Sequence, residues 1–283
     1  MKIKHIFLAV CALCVLTGCT DKSEIRDRAF VRVLYVDSDK CEMRGRLFDG
    51  GELSGSGKSL ADAFAQFEIN EKKIFTGHTE LLILKAPDFA ALYKLSELLT
   101  LSPTCAVACC TEPDFFDETE NTDYAKLLKS AQQSGNGIYR ELLELEGALE
   151  KSDLALMPLL SADGVSVCVA GGGKIHSVLS SDAARGLALI GAYADNMPFS
   201  AGNSGYTVSC ESCRVYGSEE SQSIVINAKI MNPAYEPVSD PDAITYLESC
   251  VRLLLDEALP EYSDALGASA GDAENFSDIV IKS

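Results

Sequence analysis

Four residues near the N-terminus have the types and the spacing of an acylation site. Lys2 and Lys4 precede a run of ten apolar residues, 6–15, and Leu16-Thr17-Gly18-Cys19 follows it. The run is long enough for the core of a signal peptide and too short to span a bilayer as a folded helix. The small residues 17 and 18 allow the chain to lie extended in a peptidase groove. In bacterial lipoproteins, the thiol of a cysteine in the next position takes a diacylglyceryl group.

The sequence therefore predicts a lipoprotein signal peptide at 1–18, cleavage after Gly18 and lipidation of Cys19. The alternative is an ordinary secretory signal with a coincidental cysteine. We favour the lipoprotein, because the basic residues, the apolar run and the four-residue box all lie in the expected positions. Two or three acyl chains on one residue give stable anchoring, which a single chain does not.

The charge of the chain excludes several other classes of partner. Its 283 residues include 42 acidic and 24 basic side chains, a formal net charge of -18. Loss of residues 1–18 removes Lys2 and Lys4 and no acid, so the mature chain carries -20. Nucleic-acid binding requires basic patches, and adhesion to anionic lipid by charge alone requires a basic surface. We therefore predict no nucleic-acid partner and an extracytoplasmic body held at the membrane by its lipid.

One segment resembles the end of a phosphate-binding loop. Residues 55–59 read Gly-Ser-Gly-Lys-Ser, but the full motif needs a glycine where this chain has Glu52. A carboxylate beside the phosphates would repel them. We predict instead a flexible turn before a helix that Ser59 caps.

The two histidines of the mature chain, His78 and His176, offer no recognisable catalytic site. Neither lies near a nucleophile-elbow or cysteine-nucleophile signature. His176 alternates within a hairpin strand, on its surface. For Gly77 and His78 we predict a structural motif, in which Gly77 allows a turn at the entrance of a strand and His78 bonds neighbouring carbonyl groups. We predict no catalytic residue, no enzyme activity and no cofactor.

The cysteines predict buried thiols rather than a metal site or a disulfide framework. Eight remain in the mature chain besides Cys19. Cys105 and Cys109 lie in an apolar run typical of a buried strand. Cys210-x-x-Cys213 has a zinc-ligand spacing, but in a regular strand such a pair points to opposite faces. Because no second pair completes four ligands, we predict no metal.

The apolar periodicity predicts an α+β (mixed α/β) fold in two main regions. Strands are predicted at 29–36, 42–48, 74–75, 79–84, 104–110, 165–170, 174–179, 206–216 and 223–230. Helices are predicted from Ser59, from about 87 to 99, at 123–133, at 138–150, from Ser180 or Ser181 to 194, and at 242–258. A linker is predicted at 197–205 and a mobile segment at 260–278.

The predicted domains are the signal peptide 1–18, an N-terminal domain 19–200 with a mixed sheet and helices, and a smaller α+β domain 201–283. The helix at 242–258 carries an apolar stripe that two strands alone cannot cover. We therefore expect the region after residue 205 to lean on the N-terminal domain or on a partner.

Five motifs in order resemble the Ger(x)C family of spore germination lipoproteins. The first is the box ending in Cys19, followed by Thr-Asp-Lys-Ser-Glu-Ile-Arg-Asp and an apolar strand that ends in Asp37. The others are 57–63 (Gly-Lys-Ser-Leu-Ala-Asp-Ala), 75–84 (Phe-Thr-Gly-His-Thr-Glu-Leu-Leu-Ile-Leu), 159–191 with its hairpin and Ser180-Ser-Asp-Ala-Ala-Arg-Gly-Leu187, and 206–259. Relative to the family, the C-terminal domain is expected to be shortened.

The resemblance implies a non-enzymatic C subunit of a nutrient germinant receptor. Such a subunit is lipid-anchored on the extracytoplasmic face of the spore inner membrane, acts in spore germination, and has integral-membrane A and B subunits as partners. Two alternatives come from other classes. A substrate-binding lipoprotein of a transporter should have two similar lobes and aromatic residues lining a cleft. An extracytoplasmic lipid-anchored hydrolase should depend on His78 or on a pair of acids.

Overall fold

The computed structural model of the chain describes residues 28–68, 73–85, 89–111, 123–149, 153–218, 221–258 and 276–283. The predicted signal peptide and Cys19 lie outside these ranges. So does the segment predicted to be mobile, up to residue 275.

Within the described ranges, nine strands form a first, mixed sheet. These strands are β1 (Arg28–Asp37), β2 (Glu42–Leu47), β3 (Glu52–Ser56), β4 (Lys73–Phe75), β5 (Leu81–Leu84), β6 (Ala106–Cys110), β7 (Ala155–Ser161), β8 (Gly164–Gly171) and β9 (Lys174–Val178). Their order is β3-β2-β1-β5-β6-β7-β8-β9, and β4 pairs with the start of β1. The central strands β1, β5, β6 and β7 are parallel. On one side β1, β2 and β3 pair antiparallel, and on the other side β7, β8 and β9 do the same.

Helices cover both faces of this sheet. One face packs on α1 (Leu60–Glu68), α2 (Phe89–Leu99) and α4 (Leu142–Leu149), with Phe67, Leu95 and Leu145 in a shared core. Part of the other face packs on α3 (Tyr124–Gln133) through Tyr124 and Leu128. Burial on both faces explains why the central strands are near-continuous apolar runs.

The second sheet is smaller and has its own helices. Its order is β10 (Met197–Ala201), β11 (Ser204–Ser218), β12 (Ser221–Met231) and β13 (Phe276–Lys282). Strands β10 to β12 are antiparallel, and β13 lies parallel to β12. The helices α5 (Ser181–Ile190) and α6 (Pro241–Ala258) contribute Leu189, Leu247 and Val251 to its core. The predicted α+β fold with a larger mixed sheet and a smaller second region is confirmed.

The helices α5 and α6 also join the two sheets. Leu187 of α5 and Leu254 of α6 share one buried cluster with Leu156 and Val167 of the first sheet. The second region therefore leans on the first, as its small core led us to expect. The division into domains at residue 200 itself stays a prediction.

The predicted linker at 197–205 is wrong, because Met197–Ala201 is the edge strand β10. Met197, Phe199 and Ala201 point into the core, while Pro198 and Ser200 are exposed. A proline is tolerated there because an edge strand need not donate from every N–H group. Three further strands, β3, β7 and β13, were not expected from the sequence. Strand β13 includes residues 276–278, the last three of the segment predicted to be mobile. The Ser59 cap is confirmed, since its Oγ accepts from the N–H of Asp62 at 3.2 Å.

Candidate functional site

The Gly77–His78 turn connects β4 to β5 and is fastened by the threonines on either side of it. The N–H of Thr79 donates to the carbonyl oxygen of Thr76 at 3.0 Å, and Thr79 Oγ1 donates to Val31 O at 3.3 Å. Thr76 Oγ1 donates to the carbonyl oxygen of Leu99. Both threonine side chains are buried. The turn is therefore tied to β1 on one side and to the end of α2 on the other.

Gly77 and His78 contact the ring of Phe75. The φ of Gly77 lies outside the left-handed region, but a Cβ at this position would lie 3.0 Å from the ring of Phe75. The His78 ring lies edge-on to Phe75, with centroids 5.2 Å apart, and is stacked near Phe30 at 6.2 Å. Within the described ranges the contacts of His78 are these ring contacts. That His78 also bonds a carbonyl group stays a prediction.

The end of β1 carries a buried ion pair. Lys85 Nζ donates to Asp37 Oδ2 at 2.7 Å, and the N–H of Lys40 donates to Oδ1 at 3.2 Å. The Asp37 side chain is only 3% exposed. Its hydrogen bond to Lys85 raises the pKa of that lysine, so the lysine stays charged at neutral pH. The pair joins the ends of β1 and β5 and satisfies the carboxylate.

A cleft of about 700 Å³ opens in the second region between α5, α6 and the β10–β11 hairpin. Phe199 stacks on Tyr206 on one side and on Tyr246 on the other, with centroids 5.4 and 5.6 Å apart. Arg185 Nη1 donates to Asp182 Oδ1 at 2.6 Å and to the hydroxyl of Tyr246 at 2.9 Å. Burial and the bond to Asp182 raise the pKa of Tyr246. The cleft thus combines an aromatic wall with an internally paired cation.

Sequence reasoning missed this cleft. Its aromatic residues come from the β10–β11 hairpin and from α6, which are far apart along the chain, so no local spacing marks the whole set. The weak signal available was Arg185 in the segment 180–187, three residues after Asp182 on the same face of a helix.

The cysteines of the described residues are free thiols. Burial raises the pKa of Cys105 to about 12 and that of Cys250 to about 11, so they are protonated at neutral pH. The prediction that Cys210 and Cys213 point to opposite faces is wrong. A bulge between Cys210 and Ser212 adds a residue to β11. As a result, both thiols pack against the core of the second sheet.

The potential metal ligands and the two histidines are scattered among the described residues. No group of three or more His, Cys, Asp or Glu side chains in these ranges could hold a metal ion. His176 is exposed on β9 as predicted, and its Nε2 lies 3.2 Å from Gly171 O. None of the helices in these ranges has the length and apolar character needed to cross a membrane.

The molecule is thus an α+β protein of two sheets. Gly77 and His78 lie in a turn between strands, and Asp37 pairs with Lys85 at the strand ends. No family model matches the chain, and no curated protein matches it. Among solved structures it is similar to the one titled "Crystal Structure of the GerBC protein". The two chains are 10% identical, the match covers 85% of this chain and 92% of that chain, and the TM-score is 0.45.

Proposed function

We propose that this chain is a lipid-anchored, non-enzymatic subunit of a spore nutrient germinant receptor. It is held by Cys19 on the extracytoplasmic face of the spore inner membrane, beside the integral-membrane A and B subunits. The observation that carries the proposal is the order of five motifs, the first of which begins with the lipoprotein box. Each motif alone is weak, whereas their order along most of residues 16–259 is specific.

The motif residues make contacts that join distant segments of the fold. Val33 of the first motif pairs with Leu81 of the third in adjacent parallel strands. Arg32 and Glu80 form an ion pair at 2.9 Å across the same two strands. Ser180 caps α5 and donates to Glu257 of α6 at 2.7 Å. Segments far apart in the sequence therefore fasten one another.

Co-purification from spores tests the proposal. The lipidated protein, tagged at its C-terminus, is extracted from spore membranes in mild detergent, and its partners are identified by mass spectrometry. We expect the two integral-membrane receptor subunits to co-purify and germination by nutrients to fail when the gene is deleted. A tagged, unrelated lipoprotein of the same membrane is the control. Co-purification of transporter permeases instead, with normal germination, would contradict the proposal.

The aromatic cleft favours one second candidate, a substrate-binding lipoprotein of a transporter. Small-molecule sites are lined mainly by apolar and aromatic side chains with a few polar groups, and this cleft has such a lining. Against it, the two regions described are unlike, one built on nine strands and the other on four. Tyr206→Ala distinguishes the two candidates. A substrate-binding lipoprotein should lose solute binding and uptake, whereas a germinant receptor subunit should still co-purify with the integral-membrane A and B subunits.

A further inference from the structure

Phe30, Phe48 and Phe75 lie on one face of the first sheet, near the N-terminal end of β1. Phe30 of β1 pairs with Phe75 of β4, and their rings meet edge to face at 5.4 Å. On the other side of β1, Val31 pairs with Leu47, and the N–H of Phe48 donates to Phe30 O at 3.1 Å. Directly opposed residues of neighbouring strands point to the same face. Phe48 is 51% exposed, and Phe30 and Phe75 are half-buried.

Basic side chains flank these rings. Arg28 pairs with Lys73, two residues before the pair of Phe30 and Phe75, and both are exposed. The guanidinium of Arg28 lies over the Phe75 ring, 5.9 Å from its centroid. His78 completes the group through its ring contacts. We call Arg28, Phe30, Phe48, Lys73, Phe75 and His78 the aromatic patch.

The position of the aromatic patch follows from the chain that leads to it. Eight residues lie between Cys19 and Arg28, which is itself part of the patch, so nine Cα-to-Cα steps join the two. A chain of that length reaches at most about 30 Å when fully extended. A lipid on Cys19 therefore keeps the aromatic patch close to the bilayer surface.

Two basic side chains lie at the end of the body that the tether holds. The mature chain carries -20, so an anionic bilayer repels the molecule as a whole. Arg28 and Lys73, both exposed, can pair with lipid phosphates at this end. Aromatic rings with flanking Arg and Lys side chains are the groups that settle at the boundary of headgroups and acyl chains.

We propose that the aromatic patch lies against the bilayer, as a second contact beside the lipid on Cys19. This inference rests on the lipid anchor of the proposed function and adds an orientation to it. The rings of Phe30, Phe48 and Phe75 enter the interface, and Arg28 and Lys73 contact lipid phosphates. The cleft of the second region, on a different sheet, stays free for a ligand or a partner.

The absence of tryptophan from the chain permits a direct test. Phe48→Trp places a single tryptophan in the patch, and Tyr235→Trp places one at a residue of the second region that is 74% exposed. Each lipidated variant is reconstituted in phosphatidylcholine vesicles with phosphatidylglycerol, with and without bromine on the acyl chains. We expect the emission of Phe48→Trp to shift to shorter wavelength and to be quenched by bromine, and that of Tyr235→Trp to stay unchanged.

A charge reversal separates the basic flank from the rings. Lys73→Glu added to Phe48→Trp should weaken the quenching on vesicles with phosphatidylglycerol and leave it unchanged on pure phosphatidylcholine. Lys174→Glu, an exposed lysine of β9 at the opposite edge of the sheet, is the matched control and should change neither. Far-ultraviolet circular dichroism establishes that each variant is folded.

Flotation of the vesicles separates failure of this inference from failure of the anchor. A protein that floats with the vesicles, while Phe48→Trp is quenched no more than Tyr235→Trp, overturns the inference and leaves the anchor standing. A protein that does not float overturns the anchor. In that case, Phe48→Trp and Tyr235→Trp are attached to nickel-chelating lipid by a hexahistidine tag that replaces Cys19. Stronger quenching of Phe48→Trp than of Tyr235→Trp would then support contact of the patch with the bilayer, and equal quenching would overturn it.

Discussion

At the scale of single residues, the motif of Gly77 and His78 acts through an aromatic ring. The sequence led us to expect a turn held by hydrogen bonds from His78. The hydrogen bonds described come from Thr76 and Thr79, while Gly77 leaves room for Phe75 and His78 packs on Phe75 and Phe30. Two substitutions of His78 separate the predicted bond from the observed packing.

His78→Ala should lower the free energy of unfolding by about 1 kcal/mol, the size of one aromatic pair. His78→Phe keeps a ring and removes both nitrogen atoms, so it should restore most of that loss if packing is what matters. Thermal and urea unfolding of the three proteins measure the difference. If His78→Phe is as unstable as His78→Ala, a hydrogen bond of the imidazole is responsible instead.

The predicted lipidation of Cys19 has a direct consequence for the location of the protein. If the acylated thiol is the stable hold on the membrane, Cys19→Ala should move the protein to the soluble fraction or leave it unprocessed. Cys41→Ala, which removes a half-buried free thiol, is the matched control and should stay with the membrane. Cell fractionation with immunoblotting measures both. A Cys19→Ala protein that remains entirely on the membrane would mean that another subunit holds it by itself.

At the scale of elements, the crossing of α5 and α6 depends on a glycine. A Cβ at Gly186 would lie 2.3 Å from the carbonyl oxygen of Cys250 and 3.0 Å from Cα of Val251. The two helices therefore approach to backbone contact at this point. Glu257 joins the same two helices at the C-terminal end of α6, where it accepts from the N–H and the hydroxyl of Ser180, at 2.8 and 2.7 Å.

Gly186→Ala should separate these helices and lower the free energy of unfolding by about 1–3 kcal/mol, as overpacking does. Gly147→Ala is the matched control, since Gly147 is exposed on α4 and its Cβ would meet no atom within 4 Å. That control should be neutral or more stable by up to about 1 kcal/mol, because alanine favours a helix over glycine. Equal effects of the two substitutions in urea unfolding would refute the close approach.

At the scale of the whole molecule, one buried cluster couples the two sheets. Leu254 and Ala258 of α6 pack with Leu156, Val167 and Val169 of the first sheet. The same helix covers the second sheet through Leu247 and Val251. A helix with buried contacts on both sides should make the two sheets unfold together.

Leu254→Ala should lower the free energy of unfolding by about 2–5 kcal/mol, as for other buried leucines. It should also speed amide exchange in both sheets, at 155–170 and at 224–230. Leu253→Ala, a neighbour that is 37% exposed, should stay within about 0.5 kcal/mol of the parent. Hydrogen exchange with mass spectrometry distinguishes the outcomes. Faster exchange in the second sheet alone would show that the two sheets open independently.

The parts of the fold that the sequence predicted are those with a strong local signal. The apolar stripe of α6 and the caps at Ser59 and Ser180 define helices within a few residues, because each depends on neighbours along the chain. The strands β3 and β10 lack such a signal. Glu52–Ser56 becomes a strand by pairing with β2, and Met197–Ala201 by pairing with β11, and both partnerships are non-local.

The sequence by itself determined the charge of the mature body, the predicted acylation at Cys19, the α+β class and the order of the motifs. Each of these depends on composition, on short spacing or on periodicity. Only the tertiary structure decided which side chains meet. The bulge after Cys210 turned two thiols to one face, and the pairing of β1 with β2 and β4 assembled Phe30, Phe48 and Phe75. Such contacts depend on strand register and on which strands become neighbours. Packing of the whole chain fixes both, and no local pattern encodes them.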